Sequence, residues 1–376
     1  VQHGRADVNQ FIWTNHWHST PPGIWGIDNN LYTKKAPGIS LAATPFIWLG
    51  HRLLSLNAIH LSLLLSGIVT ALTGSLLLFW LVDLGLSRVV AALAAIVYGL
   101  ATIAWVYARF LWEHSVMALL FLLMLWALHR AIYRPEVTHR LGWVWLTGIA
   151  AAASLTMRFE ALVAVGFIGV YLFCFVTPLP RLRSGLDLLR VIKNKQRWLW
   201  AAAYAVLPLL TMIWLFYFNF TRFGSVSETG YNREILFQRP WEGTFGLLFS
   251  PSTGLFIYMP VMVLFVWGVR PAWRRLPHPY FWLIVSLVIF YWIFYGSWFS
   301  WGSTWVWGPR FMLHTLHLLM LFIAEALEYL RRPPAGSLLR HNLRRWLARI
   351  DLTLLVLAGI LINFLGVAVD LNEHFL

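Results

Sequence analysis

Two carboxylates and a small set of cations are the residues whose chemistry stands out. Asp7 lies in the polar, turn-rich opening stretch 4–38, and Glu113 opens an apolar segment directly after the aromatic run 110–112. A positioned carboxylate can act as the general base that brings a hydroxyl or amide onto an anomeric carbon. A second carboxylate can orient the acceptor or hold a cation. The bland alternatives are a solvated loop aspartate and a glutamate placed at a helix start because the dipole favours it there. Glu113 departs from the bland reading more than Asp7 does, since an acid at that depth is costly unless it is paired or functional.

Lys34, Lys35 and Arg109 are candidate ligands for a phosphate, which an arginine can grip bidentately. Their alternative is anchoring to anionic lipid headgroups. Arg310 follows Gly308 and Pro309 at a helix start, where a cation opposes the dipole, and that unfavourable placement points to function. Arg158 and Glu160 flank a helix break and read as a local structural pair. Tyr32, Tyr231, Trp301 and Trp305 are candidate contacts for a sugar or acceptor, with Trp298 and Trp307 in the same aromatic segment. An aromatic belt at the membrane interface would draw the same residue types. His3, His16 and His18 lack a metal-ligand spacing, and Cys174 is the single cysteine, so no metal or cofactor is expected; a divalent ion has no support.

The elements that must position these groups are membrane helices. The 376 residues are 59% hydrophobic and 12% charged, with a mean hydropathy of +0.67. Soluble domains are nearer half apolar and about a quarter charged. Apolar runs of about 20 residues recur, so the bilayer is the solvent. The spacing predicts an all-α polytopic transmembrane bundle with spans near 57–82, 89–108, 115–131, 141–157, 161–176, 198–218, 253–269, 280–295, 311–329 and 352–369. One further helix is expected ahead of Val1. The whole of 1–376 reads as one integral membrane domain. Within it, 1–56 forms a catalytic loop and a juxtamembrane helix, the latter over 39–56. The bundle follows over 57–376, with polar loops at 219–254 and 296–310.

The net charge of +14 could suggest nucleic acid. The cations instead fall in alternate loops, as the positive-inside rule requires. Arg88, then Arg130, Arg134 and Arg140, then the basic connector up to Arg197, then Arg270, Arg274 and Arg275, then the run from Arg331 to Arg349 all come to one side. Most acids, Asp7 and Glu113 among them, come to the other. The opening stretch and the loops 219–254 and 296–310 are therefore expected on the extracytoplasmic face of a plasma membrane.

Asp7 followed by Tyr32-Thr33-Lys34-Lys35-Ala36-Pro37-Gly38 resembles the first outer loop of membrane glycosyltransferases of the GT-C superfamily. Protein O-mannosyltransferases carry an acidic motif followed by a His-Pro-Pro-Leu-Gly-Lys-like turn, and lipid A aminoarabinose transferases carry Tyr-Phe-Glu-Lys-Pro-Pro. Lys35 matches that lysine, and Ala36-Pro37 replaces Pro-Pro. The stretch from Arg109 to Glu113 is similar to the Arg-Tyr-Ile-Leu-Leu-Asp of the mannosyltransferases, one residue shorter and with Glu for Asp. FGLLFSPSTGLFIYMPVM and WGSTWVWGPRF look like segments of bacterial glycosyltransferases grouped with family 39. Asp7 is followed by Val where the mannosyltransferases have a paired acid.

The resemblance covers nearly the whole chain. It implies an inverting glycosyltransferase that takes a sugar from a polyprenyl-phosphate donor to a glycan, lipid or protein acceptor, with no nucleic-acid partner. Asp7 would be the base and Glu113 would orient the acceptor. Lys35, Arg109 and the neighbouring cations would neutralise the leaving phosphate. The main rival is a transporter or lipid-linked sugar flippase. Alternating access needs polar groups near the bilayer midplane, whereas the ionisable residues here sit mostly at span ends.

Overall fold

The computed structural model describes residues 7, 9, 23–52, 58–134, 136, 138–175, 193–231, 239–302, 306–331 and 339–369, with 58–59 and 339–349 as backbone only. Trp305, His3, His16 and His18, and residues 176–192 of the basic connector, lie outside the described residues.

The described chain is an all-α polytopic membrane bundle, as its hydropathy requires. Among the described residues, six helices, or runs of consecutive helical turns, are long and apolar enough to cross a membrane: His60–Asp83, Glu113–Tyr133, Lys195–Phe223, His278–Gly296, Arg310–Arg331 and Ile350–Ala368. In chain order the helices are α1 (Gly38–Arg52), α2 (Ala58–Asp83), α3 (Arg88–Leu100), α4 (Ala104–Tyr107), α5 (Glu113–Tyr133), α6 (Arg140–Met157), α7 (Ala161–Phe175), α8 (Lys195–Phe223), α9 (Pro240–Phe249), α10 (Leu255–Tyr258), α11 (Phe265–Arg275), α12 (His278–Gly296), α13 (Leu316–Arg331) and α14 (Leu339–Ala368). The expected juxtamembrane helix is α1, packed on α2 and α6.

Two expected spans are broken helices. The segment 89–108 ends as α3 at Leu100 and restarts as α4. Thr102 makes the joint, its hydroxyl returning to the Tyr98 carbonyl at 2.5 Å and accepting the Ala104 N–H at 3.2 Å. The segment 253–269 divides into α10, a 3-10 turn over Pro260–Leu264 and α11. Pro260 has no N–H to continue α10.

The stretch Arg310–Arg331, which includes α13, is the central strut, with its most apolar window buried throughout. Close helix approach is bought with small residues. A Cβ on Gly268 of α11 would stand 1.6 Å from the Phe322 carbonyl oxygen of α13. At the bundle end where α2 and α5 meet, Asp83 accepts from Trp126 Nε1 at 2.7 Å and Arg130 Nε at 2.5 Å. Arg275 donates to Glu325 at 2.6 Å, and Ser87 donates to Glu328 at 2.6 Å. Buried polar groups in a lipid-facing bundle must find partners inside the protein, and these bonds supply them.

Candidate functional site

The site is built at the other end of the bundle, from one loop and two helix termini. The loop begins with a two-stranded antiparallel ladder, Ile24–Trp25 against Leu31–Tyr32. The turn between them holds Asp28 and Asn29 at φ 55° and 54°, a left-handed region that Asn and Asp tolerate better than most residues. Asn9 ties the earlier chain to the ladder. Its side chain donates to Asn30 Oδ1 at 2.7 Å and accepts the Leu31 N–H at 2.6 Å.

From the ladder the chain turns through Lys34 and Lys35, and both ends of that turn are fixed. Arg222, a buried residue at the end of α8, donates to the Thr33 carbonyl at 2.8 Å and to Asn219 Oδ1 at 3.0 Å. Thr33 Oγ1 in turn accepts the Lys35 N–H at 3.1 Å. On the far side Gly38 starts α1 pressed against the end of α6, where a Cβ would stand 2.5 Å from the Thr156 carbonyl oxygen. The Pro37-Gly38 dipeptide thus does steric work: only glycine lets α1 begin this close to α6.

Glu113 is the first residue of α5, and Arg158 follows the last residue of α6. Because α5 and α6 are successive antiparallel helices, the start of one and the end of the other share one end of the bundle. Each charge also suits the helix dipole beside it. Lys35 Nζ donates to Glu113 Oε1 at 2.6 Å and Arg158 Nη1 donates to the same oxygen at 2.8 Å. Arg158 Nε also donates to Glu160 Oε1, and Tyr295 of α12 donates its hydroxyl to that oxygen at 2.7 Å. The result is a continuous chain, Lys35–Glu113–Arg158–Glu160–Tyr295. Burial alone works against the Arg158 charge. The Glu160 carboxylate, the Tyr295 hydroxyl and the Glu113 carboxylate outweigh it, so the Arg158 pKa is raised well above the usual value and the guanidinium stays charged.

Beside this chain is a cavity of about 270 Å³. Its lining includes the charged Lys34, Lys35, Glu113, Arg158 and Glu160, the apolar Phe159, Val163, Phe294 and Trp298, and Thr229 and Tyr231. The Tyr231 ring meets Trp298 edge-on at 5.9 Å and lies 5.9 Å below Lys34 Nζ. The cavity therefore offers both charged and apolar groups, a mixture suited to an amphiphile's headgroup region.

The structure brings Lys34, Lys35, Glu113 and Tyr231 together around the cavity. Other sequence candidates are placed elsewhere. Asp7 is half-buried, with its carboxylate 3.4 Å from the Asn9 N–H, and it does not line the cavity. It joins the same loop through Asn9. Arg109 donates to the Val367 carbonyl and, at 2.9 Å, to the Val369 carbonyl, closing off the end of α14. Arg310 lies over the Trp112 and Phe311 rings at 4.9 and 4.7 Å. Tyr32 is packed edge-on against Phe223 at 5.9 Å. Trp301 lies against α9, where a Cβ on Gly246 would stand 2.1 Å from its ring. Among the described residues no group of three or more His, Cys, Asp or Glu side chains could hold a metal ion.

Sequence reasoning gave Arg158 and Glu160 only a local role. The pair does form, but Arg158 also reaches Glu113. The signal that could have found this is the helix order: an acid opening one span and an arginine closing the next must share a bundle end.

No protein-family model matches the chain, and no curated protein matches it in sequence. Solved structures do match it. One is the archaeal oligosaccharyltransferase AglB from Archaeoglobus fulgidus, in complex with an inhibitory peptide and a dolichol-phosphate. It aligns with a TM-score of 0.53 and 12% identity over 90% of this chain, which spans 48% of AglB. Another is ArnT from Cupriavidus metallidurans bound to undecaprenyl phosphate, with a TM-score of 0.50 and 16% identity over 91% of this chain and 67% of ArnT. This chain thus spans about half the length of AglB and two thirds of ArnT. At these identities the likeness is one of fold.

Proposed function

We propose that the protein is a membrane glycosyltransferase that moves a hexose or pentose from a polyprenyl-phosphate donor to a glycan, lipid or protein acceptor on the extracytoplasmic face of the plasma membrane. The observation that carries this reading is the mixed charged and apolar lining of the cavity. Lys34, Lys35 and Arg158 offer cations for a phosphate, and Val163 and Phe294 of the same lining offer apolar surface. A polyprenyl phosphate has this polarity, and both AglB and ArnT were solved with such a lipid.

In the reaction the acceptor oxygen or nitrogen bonds to the anomeric carbon from the face opposite the phosphate. The carbon–oxygen bond to phosphate breaks, and its electron pair leaves on the phosphate oxygen, inverting the centre. Lys35 and Arg158 neutralise the charge that grows there. A carboxylate takes the acceptor's proton. Glu113 already holds two cations on one oxygen, and accepting the proton would weaken both contacts. Asp7 is paired with no cation among the described residues, so we assign it the role of base; it does not line the cavity, and the role requires the loop that Asn9 ties to it to bring the carboxylate to the acceptor. Glu113 then orients the acceptor. This is chemistry of the kind carried out by family 39 and aminoarabinose transferases.

The test is transfer itself. Membranes holding the full-length chain are incubated with a panel of radiolabelled polyprenyl-phosphate sugars, and the label is followed into lipid, glycan and protein fractions. Label from at least one donor is expected to move, and to stay put with Asp7→Asn. No movement from any donor would overturn the proposal.

A further inference from the structure

Tyr291 and Tyr295 lie about one turn apart on α12, and both hydroxyls go to Glu160. They reach different atoms. Tyr291 donates to the Glu160 backbone carbonyl at 2.8 Å, and Tyr295 donates to the carboxylate Oε1 at 2.7 Å. That Oε1 is also the acceptor for Arg158 Nε, while Arg158 Nη1 holds Glu113. Arg158 Nη2 makes no hydrogen bond among the described residues, and Arg158 lines the cavity. Tyr295 is fully buried, stacked on Phe311 at 5.0 Å and edge-on to His314 at 5.4 Å.

We propose that Tyr295 is a positioning residue for the donor: by sharing Glu160 with Arg158, its hydroxyl keeps the guanidinium spread between Glu160 and Glu113, with Nη2 open to the donor phosphate. The inference rests on the transferase reading, since that reading supplies the phosphate. The physical reason is competition at one oxygen. A carboxylate oxygen that accepts two donors binds each less tightly than it would bind one. Removing the neutral donor strengthens the remaining charge-assisted bond, the more so in a low-dielectric interior. Arg158 is then drawn toward Glu160 and away from both Glu113 and the phosphate. A purely structural role predicts otherwise: Tyr291 and Tyr295 are both buried, each gives Glu160 one bond, and their loss would be felt alike.

The experiment measures equilibrium binding of radiolabelled undecaprenyl phosphate to the full-length protein in lipid nanodiscs. Tyr295→Phe is expected to weaken binding about tenfold, the loss that goes with one misplaced charge-assisted contact. Tyr291→Phe is expected to lower thermal stability and keep the affinity. Glu160→Gln should weaken binding, and Tyr295→Phe combined with it should add no further loss, because the tyrosine acts through that carboxylate. Wild-type affinity in Tyr295→Phe, equal losses in the two tyrosine variants, or additive losses in the double variant would each overturn the inference while leaving the transferase reading intact. Absence of wild-type binding would overturn the transferase reading and this inference with it.

Discussion

Glu113 accepts from a half-exposed lysine and a buried arginine, and the two contacts differ in kind. Lys35 keeps 52% of its side chain exposed, so solvent screens its attraction, whereas Arg158 and Glu113 keep 11% and 6%. Breaking a buried pair by removing one partner costs about 3–5 kcal/mol. Arg158→Ala, which among the described residues leaves Glu113 with only the half-exposed Lys35 and Glu160 with only the Tyr295 hydroxyl, is therefore expected to lower thermal stability far more than Lys35→Ala; equal melting temperatures would contradict this. Lys35→Ala should show itself in donor affinity instead, weakened about tenfold by loss of one charge-assisted contact. Titration with a polyprenyl phosphate reads this directly, and unchanged affinity would return Lys35 to a lipid-anchoring role. For the base, Asp7→Asn should cut turnover by about a hundredfold or more with donor binding retained. Glu113→Gln should cost less. Normal turnover in Asp7→Asn together with a dead Glu113→Gln would transfer the base role to Glu113.

At the scale of elements, the loop that carries the lysines is held by a helix far away in sequence. Arg222 of α8 reaches the Thr33 carbonyl, and Gly38 abuts the end of α6. Lysine cannot reproduce the forked grip of arginine on Thr33 and Asn219. Arg222→Lys is thus expected to raise the donor KM with little change in kcat, because it loosens the lysine turn and leaves the carboxylates alone; a fall in kcat at constant KM would argue against that arrangement. The α11–α13 contact makes a second case. Gly268→Ala sets a methyl group into the Phe322 carbonyl and should destabilise strongly, whereas Gly142→Ala in α6 meets nothing within 4 Å and should be neutral or slightly stabilising. Thermal unfolding in detergent compares the two.

For the whole molecule, the distribution of charge sets the orientation. The ends of α2, α5, α11 and α13 that carry Asp83, Arg130, Arg275 and Arg331 lie opposite the cavity. If the basic end lies inside, as the positive-inside rule predicts, the cavity is expected on the extracytoplasmic face. In a Cys174→Ser background, an impermeant thiol reagent applied to intact cells is expected to label Ser227→Cys, in the exposed loop after α8, and to spare Lys193→Cys, just ahead of α8. The reverse pattern would put the cavity on the inner face and remove the basis for an extracytoplasmic reaction.

What the sequence determined by itself follows from short-range physics. Hydropathy marks the spans, because each helix must satisfy its own backbone in lipid. Glu113 at the opening of α5 and the Lys34–Lys35 turn before α1 were legible as charges at helix ends, where the dipole and the interface act within a few residues. The breaks at Thr102 and Pro260 were not, since tertiary packing decides whether an apolar run stays continuous. Nor could spacing sort the cations. Arg109 and Lys35 look equivalent in sequence, yet Arg109 is taken up by carbonyls at the end of α14, 258 and 260 positions on, while Lys35 lies on the cavity. Arg158 looked local because its nearest acid is two residues away, and it became the centre of the site because α5 and α6 return its guanidinium to Glu113, 45 positions back. Which charges meet is a property of helix order and packing depth, and these exist only once the bundle has closed.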